Sequence, residues 1–455
     1  MHILDFVAEQ IFGICIPLLL FSGGIYFTIR LKAFPFLYPK KTASYMLKPD
    51  HLPTKNGTTP FRALCMALGG TLGVGNIVGV ALAIRFGGAG SLFWMWVSGV
   101  FAMLLKYAEI LLSLQGKKRS EGKQVAIPSL LYIYPQNRHK KPIGLWIFGG
   151  ACTLVSIPLG GMIQANAVSE VFESTLCFSP IVMGVVLFML TIVVILGGGK
   201  RISDVTFRLI PLASLGYVVL TLGVIFAHAE RIPFMLKDIF VSAFSSRSVV
   251  SGVGCFAWHK AIRIGCARGL ISNEAGCGTA PMAHATSSTT SAARQGLLGV
   301  FEVLIDTLLL CSLTGFSILL VADKISIHEG GGLSVVLSAL STVWGKWAGV
   351  LLAVCVLLFA FATIVCWFYY GSVGLSVFSK KPHSKTVYAI LFSGAVCVGA
   401  VSAPLFLWSV CDILLGIMTA VNLVALFRHR KTIIQETEAL PFLVKPSAPS
   451  RDKHT

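Results

Sequence analysis

The chain has 455 residues, 55% of them apolar and 12% charged, with a mean hydropathy of +0.81. That composition excludes an ordinary soluble domain and fits membrane spans joined by short loops. A net charge of +18 would suit a nucleic-acid binder if the basic residues were clustered on one domain, but they are spread between the apolar runs.

In chain order, apolar runs near twenty residues fall at about 9–30, 61–84, 89–115, 144–174, 180–197, 205–228, 234–258, 295–322, 345–378, 386–402 and 404–427. They predict an all-α polytopic membrane protein with about 11 transmembrane helices. The first run is too long for a signal peptide and lacks a basic leader. With the N-terminus outside, alternate loops (30–62, 117–141, 200–208, 260–294, 380–385 and 428–453) hold thirty Lys and Arg, and the opposite loops hold five. That split predicts a multi-pass protein of the cell (inner) membrane, N-terminus outside and C-terminus cytoplasmic. The basicity reports topology, and no nucleic-acid partner is expected. Twelve scattered cysteines with no CxxC spacing read as small buried hydrophobes.

The segment "GGTLGVGNIVGVALA", residues 69–83, lies in a stretch without a charge between Arg62 and Arg85. Glycines weaken a helix by about 1 kcal/mol each relative to alanine, and Asn76 places an amide in hydrocarbon. A phosphate loop would need a Lys that is missing, so ATP is not an expected partner. Two readings remain, a seam of close helix packing and a discontinuous helix whose freed backbone groups line a cavity. Transporters built from inverted repeats carry a second interruption at the matching place. The sequence offers "SVVSGVGCFAWHKAI", with Gly252 and Gly254 at the expected break and Phe256 and Trp258 just beyond. This divides the chain into 1–57 (an extra span and a basic cytoplasmic loop), 58–228 and 229–428 (five helices each, in opposite orientation), and 429–455, a cytoplasmic tail expected to be disordered.

A broken helix offers a polar ligand both kinds of partner beside a shaped apolar space. Amides near Gly73, Gly75 and Asn76 offer donors, and carbonyls from Gly70 through Thr71 to Leu72 offer acceptors. Thr363 and Trp367, four apart in the ninth span, share a helical face. A hydroxyl beside an indole suits an ion or polar group next to a small cavity. Lys106 and Glu109 are spaced for an ion pair, and Asp306 is a deep carboxylate that suits a proton, Na+ or neighbouring donors. No Ser-His-Asp, Cys-His or metal cluster is legible, so an enzyme is not expected.

In order, "PFRALCMALGGTLGVGNIVGVALAI", "FWMWVSGVFAMLLKYAEILL", "IQANAV", "RGLISNEAGCGTAPMAHA", "RQGLLGVFEVLIDTLLLCSLTG" and "FATIVCWFYYG" resemble the sodium:alanine symporter family. The resemblance implies a leucine-transporter-type 5+5 inverted repeat with one extra N-terminal helix. It also implies import of alanine or glycine with Na+ by alternating access, without a cofactor other than the coupling ion. It points to Thr71, Gly73, Gly75, Asn76, Gln164, Phe256, Thr363 and Trp367 as substrate-binding, and to Gly70, Leu72 and Thr363 as Na+ candidates. Asn273, Glu274, Gly276 and Gly278, placed in the 260–294 loop, read as an inner gate or hinge. Proton coupling, and after it a passive channel, are the alternatives.

Overall fold

The computed structural model describes residues 15–48, 58–119, 130, 133, 142–244, 253–289, 291–327, 330–402 and 406–443. Besides two short helices at Phe34–Leu37 and Pro39–Leu47, its helices among the described residues are α1 (Ile16–Arg30), α2 (Pro60–Thr71), α3 (Gly75–Gly87), α4 (Gly90–Arg119), α5 (Ile143–Leu176), α6 (Pro180–Ile195), α7 (Gly198–Ala227), α8 (Ile232–Phe244), α9 (Val253–Asn273), α10 (Ala280–His284), α11 (Ala292–Leu319), α12 (Gly332–Trp344), α13 (Trp347–Leu375), α14 (Pro382–Val401), α15 (Phe406–Arg428) and α16 (Arg430–Glu438). Among the described residues seven helices are long and apolar enough to cross a membrane, or eight when α2 and α3 count as one bent span. Large apolar side chains such as Val182, Val185 and Met189 on α6 and Ile390 and Leu391 on α14 are exposed, as a lipid-facing surface requires.

The first interruption is where the glycines place it. Thr59 caps α2 by accepting from the Arg62 N–H, and Pro60 occupies the first turn. The helix ends at Thr71 because Leu72 leaves helical geometry (ψ 75°), and the chain resumes as α3, bent by 54°. Three helices widen into π-helical turns, at Gly75–Gly79, Ser156–Met162 and Leu304–Cys311. Such turns displace backbone groups from the regular ladder and collect at functional sites.

Among the described residues a second interruption follows Asn273, further along the chain than the sequence suggests. Gly252 lies outside the described residues, and Gly254 belongs to α9, which runs unbroken from Val253 to Asn273. The run at 234–258 is therefore two helices, α8 and the start of α9. Residues 260–273, expected in a cytoplasmic loop with Lys260, Arg263 and Arg268, are helical. The parallel packing of α9 on α4 fixes its depth: Gly265 backs onto Ser91, Gly269 onto Met95 and Ser98, and the Asn273 carbonyl meets Lys106, near the middle of α4. There the helix breaks. Glu274, Gly276 and Gly278 have φ of 52°, 82° and 80°, and α10 follows.

The expected disordered tail is also shortened. Residues 430–438 form α16, whose Thr437 hydroxyl meets the Tyr107 hydroxyl at 3.0 Å. Residues 444–455 lie outside the described part.

Candidate functional site

Around the first break, neutral side chains from two other helices satisfy the backbone. Gln164 on α5 accepts from the Val74 N–H through Oε1 at 3.2 Å, and Trp367 on α13 donates to the Gly70 carbonyl at 3.3 Å. The Thr363 hydroxyl lies 3.5 Å from the Leu72 carbonyl and 3.0 Å from that of Phe359 in its own helix. A Cβ on Gly73 would sit 2.9 Å from Thr363 Oγ1 and 3.0 Å from Gln164 Oε1. Gly70, Leu72, Gly73, Gln164, Thr363 and Trp367, singled out in three separate stretches of sequence, therefore meet at one place. Thr71 lies there too, but its hydroxyl turns back to the Ala67 and Leu68 carbonyls of its own helix.

The seam and cavity readings of the glycines divide between the two halves. On α2 the glycines pack: a Cβ on Gly69 would meet Cys366 at 2.8 Å, and one on Gly70 would meet Tyr370 at 2.6 Å. On α3, a Cβ at Gly75 or Gly79 meets nothing within 4 Å, so no packing seam explains these two. Beside them a narrow cavity is lined by Leu72, Gly73, Asn76, Ile77, Tyr217, Leu310 and Phe359. It has no room for a whole water molecule. Tyr217, Leu310 and Phe359 carry no sequence signal that separates them from core.

Asn76 connects the first break to the second. Its Nδ2 donates to Asp306 Oδ1 at 2.6 Å and lies 3.1 Å from the Ser272 hydroxyl, one residue before the end of α9. Thr314 donates to the Asn76 carbonyl at 3.0 Å and shares a 2.7 Å hydrogen bond with Tyr217. Phe256, whose side chain lies outside the described part, precedes Ser272 by sixteen residues on one continuous helix, about 24 Å at 1.5 Å per residue.

The second break is held by charged and amide groups. Lys106 Nζ lies 2.9 Å from Glu302 and donates to the Asn273 carbonyl at 2.5 Å. The expected Lys106–Glu109 pair is replaced by this one, because Glu302 on α11 faces Lys106 across the helix interface. Glu109 instead accepts from the Gly278 N–H at 3.2 Å and from Asn422 Nδ2 at 2.9 Å, and Asn422 also donates to the Gly276 carbonyl. Asn273 caps its own turn through Oδ1 to the Ala275 N–H and bonds Thr307 through Nδ2. Glu274 accepts from the Thr279 hydroxyl. His284 on α10 joins Glu302 to Gln295, which reaches the Pro60 carbonyl at the start of α2. Asn273, Glu274, Gly276 and Gly278 are thus buried inside the helix bundle beside the first break, not in a surface loop.

Two interrupted helices that meet inside an apolar bundle fit a membrane transporter. The chain belongs to the sodium:alanine symporter family, whose profile matches residues 1–442. It is similar to the uncharacterized transporter YflA of Bacillus subtilis, with 34% identity over 93% of this chain and 90% of the relative. It is similar to the sodium/alanine symporter AgcS of Methanococcus maripaludis, with 30% identity over 97% of each chain. A third relative is the amino-acid carrier protein AlsT of Bacillus subtilis, with 30% identity over 93% of this chain and 87% of the relative. The protein is a multi-pass, cation-coupled amino-acid transporter and not an enzyme.

Proposed function

We propose that the protein imports alanine or glycine with Na+ by alternating access, and the observation that carries this reading is the meeting of Gly70, Leu72, Gly73, Gln164, Thr363 and Trp367 at the first break. The apolar residues beside it, Leu72, Ile77, Tyr217, Leu310 and Phe359, close together without room for a water molecule, so only a small side chain finds space when they part. Backbone amides near Gly73 and Gly75, with the Asn76 amide, take the carboxylate, and carbonyls of the unwound turn take the ammonium. Gln164 and Trp367 hold that turn open, Gln164 at Val74 and Trp367 at Gly70. Leu72 O and the Thr363 hydroxyl supply hard oxygens to Na+. The Gly70 carbonyl, already accepting from Trp367, keeps a second lone pair for the same ion.

The same reading takes α1 as an extra span and the remainder as a leucine-transporter-type 5+5 inverted repeat, making eleven spans with α1, α6 and the two broken pairs α2–α3 and α9–α10 added to the seven long helices. The first repeat covers 58–228 and the second 229–428. Its two breaks are the ones at Leu72–Val74 and at Glu274–Thr279. The charge distribution supports the N-terminus outside and the C-terminus cytoplasmic, in the cell (inner) membrane. Asn273, Glu274, Gly276 and Gly278 serve in it as a hinge between α9 and α10.

Uptake of radiolabelled alanine, glycine and leucine into proteoliposomes, with Na+ and proton gradients imposed in turn, tests this function. The expected result is saturable alanine or glycine uptake driven by Na+ and little leucine uptake. Uptake driven by a proton gradient without Na+ would overturn the choice of ion. Conductance independent of any amino acid would overturn transport in favour of a channel.

A further inference from the structure

The chain leaves α1 through a sharp turn. Lys32 and Ala33 both have left-handed backbone, with φ of 56° and 45°, a conformation that residues with a Cβ hold only when their surroundings enforce it. Here the Lys32 and Ala33 N–H groups donate to the Ile29 and Thr28 carbonyls of α1 at 3.0 and 2.8 Å. Phe34, wholly buried, packs against the Tyr107 and Phe442 rings. The next residues are thereby turned away from α1 and laid against α4 and the start of α11 as the short helices Phe34–Leu37 and Pro39–Leu47.

Pro39–Leu47 has two faces. Thr42 is buried and Tyr45 and Met46 are half-buried. The Tyr45 hydroxyl shares a 3.1 Å hydrogen bond with Ser291, the residue that caps α11, and its ring meets Phe442 and the Arg294 guanidinium. On the other face Lys40, Lys41, Leu47 and Lys48 are exposed, as are Arg30 and Lys32 beside the turn. Between Glu9 and Asp50 the chain has no acidic residue, and among the described residues no carboxylate pairs with any of these five cations. A second, independent observation is the apolar surface among them: Phe36, Leu37, Tyr38 and Leu47 are 43%, 64%, 42% and 74% exposed. The exposed apolar face of α6, by contrast, lies on a helix without a single charged residue. Four large apolar side chains suit water poorly and five charges suit hydrocarbon poorly, whereas the headgroup layer of a bilayer accommodates both.

We propose that residues 30–48 dock on anionic phospholipids of the leaflet at which α1 ends, with Phe36, Leu37 and Leu47 entering the acyl boundary and Lys40, Lys41 and Lys48 meeting the lipid phosphates. The inference rests on the topology proposed above, which makes that leaflet the cytoplasmic one, where anionic lipids gather. Charge complementarity selects this occupant, because a zwitterionic headgroup brings no net charge to five unpaired cations. The opposite face of the same helix carries the Tyr45–Ser291 bond. Lipid that orders Pro39–Leu47 therefore also steadies the first turn of α11, from which Gln295 reaches the Pro60 carbonyl of α2.

The test is hydrogen–deuterium exchange of the purified full-length protein in nanodiscs of phosphatidylcholine, with and without phosphatidylglycerol. Each lysine at an anionic surface is worth about a factor of five in binding, so residues 34–47 should exchange roughly tenfold more slowly, or slower still, when phosphatidylglycerol is present. Residues 291–297 should slow with them. Salt at about 1 M, where the screening length falls to about 3 Å, should remove most of that protection. Lys40→Gln, Lys41→Gln and Lys48→Gln combined should abolish it, and so should Phe36→Ser with Leu37→Ser, which leaves every charge in place. All five positions are exposed, so exchange elsewhere should match wild type. Equal exchange of the wild type in the two lipids would overturn the proposal without recourse to any variant. Full protection in the triple-glutamine variant would overturn it too, and equal protection by inorganic phosphate in phosphatidylcholine would assign the surface to a soluble anion and also overturn it. Labelling of Ser44→Cys from outside intact cells, beyond that of wild type, would instead remove the topology reading. Nanodiscs expose both leaflets, so the lipid comparison would still decide the docking surface.

Discussion

The two helix breaks meet through Asn76 and Ser272, yet they are built from different chemistry. At the first, Gln164, Trp367 and Thr363 touch backbone groups with neutral contacts of 3.2 to 3.5 Å, and the backbone at Gly75 opens on free space. At the second, Lys106 and Glu109 grip the Asn273 carbonyl and the Gly278 N–H, and Asn422 takes the Gly276 carbonyl. Hydrogen bonds to ionised groups are stronger than neutral ones. The difference teaches that the same device, a broken helix, can be held by weak neutral contacts or by charged ones, and on the reading proposed above the weakly held break is the one that meets the ligand.

The largest expected effect tests the fixed side. Lys106→Met leaves Glu302 and the Asn273 carbonyl without their partner inside the bundle, which should cost about 3–5 kcal/mol. Gln164→Ala orphans a single N–H at Val74 and should cost about 1–3 kcal/mol. Thermal unfolding in detergent, read by size-exclusion chromatography of the surviving fraction, measures both. Equal losses would mean that the charges at the second break contribute nothing special.

A glycine pair sharpens the same contrast. Gly278 has φ 80°, and a Cβ there would lie 2.8 Å from the Phe148 ring. Gly278→Ala should therefore destabilise by about 1–3 kcal/mol through backbone strain, before counting the clash. Gly75→Ala meets no neighbour, so its stability should stay within about 0.5 kcal/mol of wild type, while its alanine affinity falls because the methyl enters the space beside the break. Calorimetry on the folded variants separates the two. A stability loss at Gly75 as large as at Gly278 would return α3 to the seam reading.

The contrast also shows which parts were legible in the sequence. The first break announces itself, because a glycine cluster with an asparagine in an uncharged stretch has few structural uses. The second is concealed by its own charges. "RGLISNEAGCG" carries Arg268 and Glu274, a composition that reads as a loop, and only tertiary neighbours such as Lys106 and Asn422 make its burial tolerable. Spacing alone then favoured Gly252 and Gly254, and Phe256 with them. Lys106 and Glu109 were visible as a pair at helical spacing, but Glu302, nearly two hundred residues away, was not visible as the competitor. The cavity walls escaped for the opposite reason: Tyr217, Leu310 and Phe359 are ordinary core residues by type.

Substitution of Asn76 ranks next. Asn76→Ala removes the only amide side chain among the described residues that lines the cavity, and a hydrogen bond to a charged ligand group is worth about 1.5–3 kcal/mol, or roughly 10- to 150-fold in affinity. Calorimetric titration of alanine into the folded variant reads that loss directly. Unchanged affinity would leave Asn76 as a stitch between helices and would strip the first break of its principal polar side chain.

The smallest effect concerns Thr363, where the tether at the first break is weakest. Its hydroxyl lies 3.5 Å from the Leu72 carbonyl, at the limit of a hydrogen bond, while a 3.0 Å bond to Phe359 O already satisfies it within α13. Thr363→Ala therefore removes little that holds the protein together. If the hydroxyl and the Leu72 carbonyl share a Na+ ion, its loss takes away one neutral ligand, worth about 0.5–1.5 kcal/mol. The Na+ concentration for half-maximal alanine uptake should then rise roughly two- to tenfold, with maximal uptake close to wild type. Thr363→Ser, which keeps the oxygen and drops the methyl, should restore the wild-type value. A half-maximal concentration unmoved by either change would mean that the ion does not lie between Leu72 and Thr363.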